Sequence, residues 1–176
     1  MRDSDEFDDF YAESVFRVSG YVYALSGDRG ETEDVVQEAY ARAWQHWDKL
    51  TAYGDPEAWV RTVAYRIRVS QWRRVTARFR AHQRHGVPPD VPELSVDYVA
   101  IIAALREIAP SQRRAIVLHH LLGLSVEEVA VETNVAPGTV KAHLSRGRAR
   151  LATLLAESGA YQGNPQALAR EASSHV

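Results

Sequence analysis

Eight arginines stand between Trp59 and Gly86 with no Asp or Glu among them: Arg61, Arg66, Arg68, Arg73, Arg74, Arg78, Arg80 and Arg84. On a chain of net charge −2, so concentrated a block calls for a polyanion or an acidic protein surface as its counterpart. Spacing the residues at about 100° intervals places Val60, Val63, Ala64 and Ile67 on one stripe and Arg61, Tyr65, Arg68 and Trp72 on another. The first stripe reads as core. The second offers cations to follow phosphates and ring faces to stack on bases, at about 1–3 kcal/mol per stack, which is how unpaired strands are held. The plainer alternative is a row of solvated guanidinium heads above half-buried rings; the whole set, with no acid beside it, favours nucleic acid.

A second basic cluster follows a different pattern. Ser125 with Glu128 three residues on makes a capping box, Val126, Val129 and Ala130 face inward, and Asn134 stands where a tight turn needs left-handed backbone. Pro137 then opens a helix whose Val140, Leu144, Leu151 and Leu154 are inward. Two short helices joined in this way predict a helix-turn-helix, whose second helix lies in the major groove of duplex DNA. It would present Thr139, Lys141, Ala142, His143, Ser145 and Arg146 to base edges, with Arg148 and Arg150 further along for phosphates. A plain helical hairpin with a basic surface is the alternative; the cap, the turn and the charge together favour DNA.

The elements that must carry these residues are all helical. Phe7, Phe10, Tyr11, Val15, Val18, Tyr21, Val22 and Leu25 predict an amphipathic helix over 7–25 behind a solvated acidic leader. Glu31 to Leu50 reads as a second helix, with Val35, Val36, Ala39, Tyr40, Ala43, Trp44 and Trp47 on its apolar side. Asp34, Gln37, Glu38 and Arg42 fall off that stripe, as an ordinary wet face. Asp55 and Pro56 start the arginine-rich helix. Three prolines and a glycine in HGVPPDVPELSVD cannot continue it, so residues 81–97 read as a semi-extended linker between two domains. The expected architecture is all-α: a first domain over 1–80, the linker, a helix-turn-helix domain over 98–155 and a short tail over 156–176.

Charge is distributed in blocks. Residues 1–58 hold fourteen acids and five bases, 59–86 carry the eight arginines, and 112–155 hold six bases against three acids. Different faces for different partners follow from this. The absence of cysteine rules out disulfides and thiolate metal sites and is compatible with a reducing cytoplasm. The acidic start does not resemble a secretion signal, and no apolar run is long enough for membrane insertion. Of the seven histidines, His119 and His120 are neighbours that point to different sides of a helix, and no spacing completes a metal site. There is no phosphate loop and no nucleophile elbow, so the sequence predicts neither cofactor nor catalysis.

With DVVQEAYARAW, a later Arg/Trp-rich helix and GTVKAHLSRGRARL in this order, the chain resembles a bacterial RNA polymerase sigma factor of the extracytoplasmic-function (ECF) group of the sigma-70 class. The resemblance covers residues 7–155 and implies a promoter-specificity subunit that directs DNA melting and transcription initiation. It implies that Asp34, Gln37, Glu38 and Arg42 dock on core RNA polymerase. Tyr53, Gly54 and Asp55 correspond to the loop that takes an extruded base, and Arg61, Tyr65, Arg66, Arg68, Trp72, Arg73 and Arg74 lie in the helix that reads and melts the −10 element. Thr139, Lys141, Ala142, His143, Arg146 and Arg148 correspond to the readers of the −35 element as duplex, and an anti-sigma factor is an expected partner. Arg66 and Ser70 stand where the family often has Asn and Asp, and His143 where it often has Arg, so promoter sequence does not transfer. The competing readings are a stand-alone helix-turn-helix regulator with an N-terminal sensing or dimerisation domain, and an adaptor for acidic proteins.

Overall fold

The computed structural model of the chain describes residues 4–79 and 96–158, apart from the side chains of residues 53, 72–79, 96 and 97. Two compact units divide the chain, 1–90 and 91–176, and all regular structure among the described residues is helical. None of these helices is long and apolar enough to cross a membrane.

In the first unit α1 spans Ser4–Ser26. It starts ahead of the apolar periodicity because Asp5 and Glu6 occupy its first turn, where the helix dipole favours acids; the residues just before Phe7 are helix, not mobile leader. Phe7 and Phe10 seat against Trp47 with ring centroids 5.1 and 5.0 Å apart. The Ser14 hydroxyl donates to the Phe10 carbonyl at 2.6 Å, which uses its only proton, so Tyr40 is the donor in the 2.7 Å Tyr40–Ser14 contact. Burial pushes the Tyr40 phenol up to about 12, because the charged phenolate would lose its water.

Asp28 caps α2 (Arg29–Gln45), its Oδ1 accepting the Glu31 amide at 2.7 Å. The expected single helix to Leu50 breaks at His46 (φ −113, ψ 12) and restarts as α3, Trp47–Leu50. The break turns Trp47 and Leu50 into the core, where both are buried; continuing α2 would have left that apolar surface unpaired. A turn of 3-10 helix, Thr51–Tyr53, and Gly54 at φ 78 lead into α4, Pro56–Phe79. Asp55 Oδ1 caps α4 by accepting the Ala58 amide at 2.9 Å. Val60, Val63, Ala64 and Ile67 are buried as their spacing predicts, and α4 packs against both α1 and α2.

The second unit holds α5 (Val96–Arg106), α6 (Pro110–Ile116), α7 (Val126–Thr133) and α8 (Pro137–Glu157). Helix α5 takes in Val96 and Asp97, the end of the stretch expected to be linker; residues 80–95 and the tail beyond 158 lie outside the described residues. Arg113 Nη2 donates to the carbonyls of Arg106 and Ile108 at 2.8 and 3.1 Å, satisfying the exposed end of α5. Helix α6 widens into a π-helical turn over Val117–Leu121, and Gly123 at φ 71 ends it. Helix α8 packs on α5, α6 and α7. At Gly147 its approach to α6 is so close that a Cβ would lie 2.6 Å from Ile116 Cδ1 and 3.3 Å from Gln112 Cβ, room that only glycine leaves.

Candidate nucleic-acid interfaces

Helix α4 does not present all of the stripe expected from its spacing. Arg61 is only 4% exposed, and its Nη1 donates to Glu57 Oε1 at 2.9 Å, one turn earlier. The same carboxylate takes Arg17 from α1: Nη2 lies 2.6 Å from Oε2, and Nε lies 3.2 Å from each oxygen. Arg68 is half-buried, with Nε 3.1 Å from Glu31 Oε1 at the start of α2. The acids were invisible to a count over 59–86 because Glu57 lies just ahead of that window and Glu31 on another helix. The cause is packing: α4 lies against α1 and α2, and a guanidinium taken out of water there must be paired. Buried in this way, Arg61 offers no surface to a strand, and Arg68 ties α4 to α2.

Tyr65 is half-buried and Arg66 is exposed. The side chains of Tyr53, Trp72, Arg73 and Arg74 fall outside the described residues. Gly54 and Asp55 are exposed at the turn into α4. On α2, Asp34, Gln37, Glu38 and Arg42 are all exposed, and Arg42 Nε donates to Glu38 Oε1 at 2.8 Å. A groove of about 490 Å³ brings Asp34, Glu38 and Arg42 together with Arg66, Ser70 and Gln71 of α4. Three residues of the set assigned to α2 and one, Arg66, of the set assigned to α4 thus line a single groove. Ser70 and Gln71 were not among the predicted site residues; Ser70 was noted only as a departure from the family pattern, and the pairing of α2 with α4, a tertiary fact, brings both into the groove.

The second unit delivers its helix by backbone devices. Ser125 N–H donates to Glu128 Oε2 at 2.7 Å and Glu128 N–H to Ser125 Oγ at 3.2 Å, the reciprocal bonds of a capping box. The bond from the Ser125 amide, and after it hydrogen bonding from the Ser125 side chain, hold the Glu128 carboxyl below its ordinary value. Asn134 takes the left-handed conformation (φ 56, ψ 46), Val135 N–H closes back to the Ala130 carbonyl at 3.1 Å, and Pro137 starts α8. Val140, Leu144 and Gly147 are buried. Thr139, Lys141, Ser145, Arg146 and Arg150 are exposed, whereas Ala142, His143 and Arg148 are half-buried. The exposed residues form a mostly basic face on a helix held from behind at three points, geometry suited to a groove rather than to a small ligand.

One unit with a helix-turn-helix and another, on the same chain, with a polar groove and a glycine-marked loop define a two-part DNA-binding transcription protein. Comparison with known proteins narrows the class. The Sigma-70 region 2 family model matches residues 10–78 and the Sigma-70 region 4 model residues 98–151. The chain is 33% identical over 148 residues to the ECF RNA polymerase sigma factor SigL of Mycobacterium tuberculosis, covering 79% of this chain and 82% of that protein. It is 32% identical over 129 residues to the RNA polymerase sigma-E factor of Streptomyces coelicolor, covering 72% and 73%. Among solved structures, the sigma factor RpoE of Bartonella quintana, in complex with the anti-sigma factor NepR, superposes with a TM-score of 0.76 at 26% identity, covering 85% of this chain and 96% of that one. The chain belongs to the ECF RNA polymerase sigma factors. Its function is accordingly promoter recognition with RNA polymerase, and the stand-alone regulator is set aside.

Proposed function

We propose that the two units divide promoter recognition between opened and closed DNA, without catalysis by this chain. Unit 1 docks on core polymerase through Asp34, Gln37, Glu38 and Arg42. Its loop at Tyr53, Gly54 and Asp55 receives a base extruded from the −10 element, at a cost of a few kcal/mol that pocket and core enzyme offset. Arg66 lies along the same groove as the docking face, and Trp72, Arg73 and Arg74 continue the helix toward the strand. Arg61 and Arg68 hold this surface together and do not touch DNA. Unit 2 reads the −35 duplex through Thr139, Lys141, Ala142, His143 and Arg146, with Arg148 at the margin. The protein works in the cytoplasm, where core polymerase is found. An anti-sigma factor restrains it, a reading supported by the relative RpoE, which is bound to the anti-sigma factor NepR in its solved complex.

The observation that carries this reading is the groove in which exposed Asp34, Glu38 and Arg42 of α2 face exposed Arg66 of α4: docking and strand-facing residues share one rigid surface. Run-off transcription with purified core polymerase tests it. Core enzyme alone should initiate nothing from a target promoter, and adding the protein should restore initiation. Reversing charge at Asp34 and Glu38 together should abolish both polymerase binding and transcripts while leaving duplex binding by unit 2 intact. Transcription that survives this reversal contradicts the docking assignment.

A further inference from the structure

We propose that Glu57 is a positioning residue for the base-receiving loop, acting as a clamp between α1 and α4; this rests on the reading of Tyr53–Asp55 given above. The loop ends where α4 begins, so its geometry is only as fixed as the first turn of that helix. Three contacts fix it. Asp55 Oδ1 holds the Ala58 amide. The Trp59 ring lies edge-on to His46, with centroids 6.1 Å apart, at the break between α2 and α3. The Glu57 carboxylate joins Arg17 of α1 to Arg61 of α4. Glu57 is itself only 17% exposed, so this ion-pair triad is partly withdrawn from screening water, and a two-pronged Arg–carboxylate contact restricts rotation as well as distance. Gly54 takes φ 78 with no neighbouring atom within 4 Å of a Cβ built there, so the loop reaches α4 through a left-handed glycine in open space and meets its flank at the first turn of α4. Glu57 pairs with Arg17 and Arg61, and the inference is about where it holds the helix.

The test uses holoenzyme reconstituted from the full chain and core polymerase on a promoter fragment that supports run-off transcription. A single abasic site is placed in turn at each position of the melted non-template strand. Wild-type holoenzyme should open the fragment more slowly when the received base is missing. Glu57→Gln keeps the side-chain shape and loses the charge; it should slow opening of the intact fragment roughly ten- to a hundredfold, the scale of a misplacement of about 1 Å. It should add little further loss on the fragment lacking that base, and its affinity for core polymerase should stay at the wild-type value. Equal proportional losses on every fragment, or no loss, would overturn the clamp and leave the loop assignment standing. Indifference of the wild-type holoenzyme to every abasic site would instead sink the loop assignment and the clamp with it. Should Glu57→Gln fail to fold, Arg17→Gln removes only the exposed arm of the triad and must show the same base-dependent pattern at smaller size; a uniform loss there also overturns the proposal.

Discussion

The two units solve opposite versions of one problem, how to carry cations on a helix that also has to pack. Unit 1 sets its arginine-bearing helix between two others, so part of the charge is inward and is neutralised by Glu57 and Glu31 from neighbouring turns and helices. Unit 2 keeps Lys141, Arg146 and Arg150 on an outward face and fixes the helix with a cap, a left-handed Asn134 and a close approach at Gly147. A count of charges is therefore not a count of contacts. Arginines on a helix wedged in a bundle are first structural, and only what protrudes is left for a ligand; arginines on a recognition helix protrude together.

The largest effect separating the units should come from Arg61→Ala. Removing one partner of a buried ion pair typically costs 3–5 kcal/mol; with Glu57 still holding Arg17, about 2–4 kcal/mol of unit 1 stability should go. All four tryptophans, Trp44, Trp47, Trp59 and Trp72, precede residue 90, so urea unfolding followed by tryptophan fluorescence reports this unit alone. A variant that unfolds like wild type yet fails to open promoters would break the comparison by returning Arg61 to the DNA surface. Gly147→Val is the counterpart in unit 2. Overpacking against Ile116 should cost about 1–3 kcal/mol, visible in far-ultraviolet circular dichroism while the tryptophan transition stays in place.

Smaller effects sharpen the division of labour. Arg148→Ala and Arg150→Ala, at the phosphate positions, should each lower the salt slope for binding a −35 duplex by about 0.9, whereas Arg66→Ala should lower the slope for a −10 single strand by about 0.7. Filter binding across a salt series measures both. A change in the duplex slope from Arg66→Ala would erase the distinction between the units.

Much of the fold was legible because its signals are local. Asp55 and Pro56, the Val60–Ile67 stripe, the Ser125–Glu128 box and Asn134 each act within a turn or two, and each is found where its spacing places it. The helix-turn-helix of unit 2 was readable for the same reason, since a turn and a helix make it whole. The site in unit 1 was not. Arg68 is tied down by Glu31, which no window along α4 contains, and the groove exists only once α2 lies beside α4. Glu57 was the exception: its spacing from Arg61, one helical turn, is a pairing visible in the sequence.

The last test probes the cap that aims unit 2. Ser125→Ala removes the acceptor for the Glu128 amide and should cost about 1 kcal/mol, with a proportional loss in −35 binding and none in polymerase affinity. The acid partner makes this dependent on pH, and the sign follows from the direction of its shift. The Glu128 carboxyl is held below its ordinary value by bonds from Ser125, so the folded state favours the charged form. Its contribution is complete above the unfolded carboxyl value and is lost as pH falls through the lower folded value. Acidification should therefore weaken the wild-type unit over that interval and weaken Ser125→Ala less, because the mutant lacks the Ser125 side-chain hydrogen bonding that also holds the carboxyl down. Circular dichroism melts from pH 7 down to pH 3 read the difference. Parallel curves for the two proteins would mean that backbone turn and Pro137 aim the helix unaided, which would leave unit 2 less dependent on side-chain electrostatics than its cap suggests and widen the contrast with unit 1.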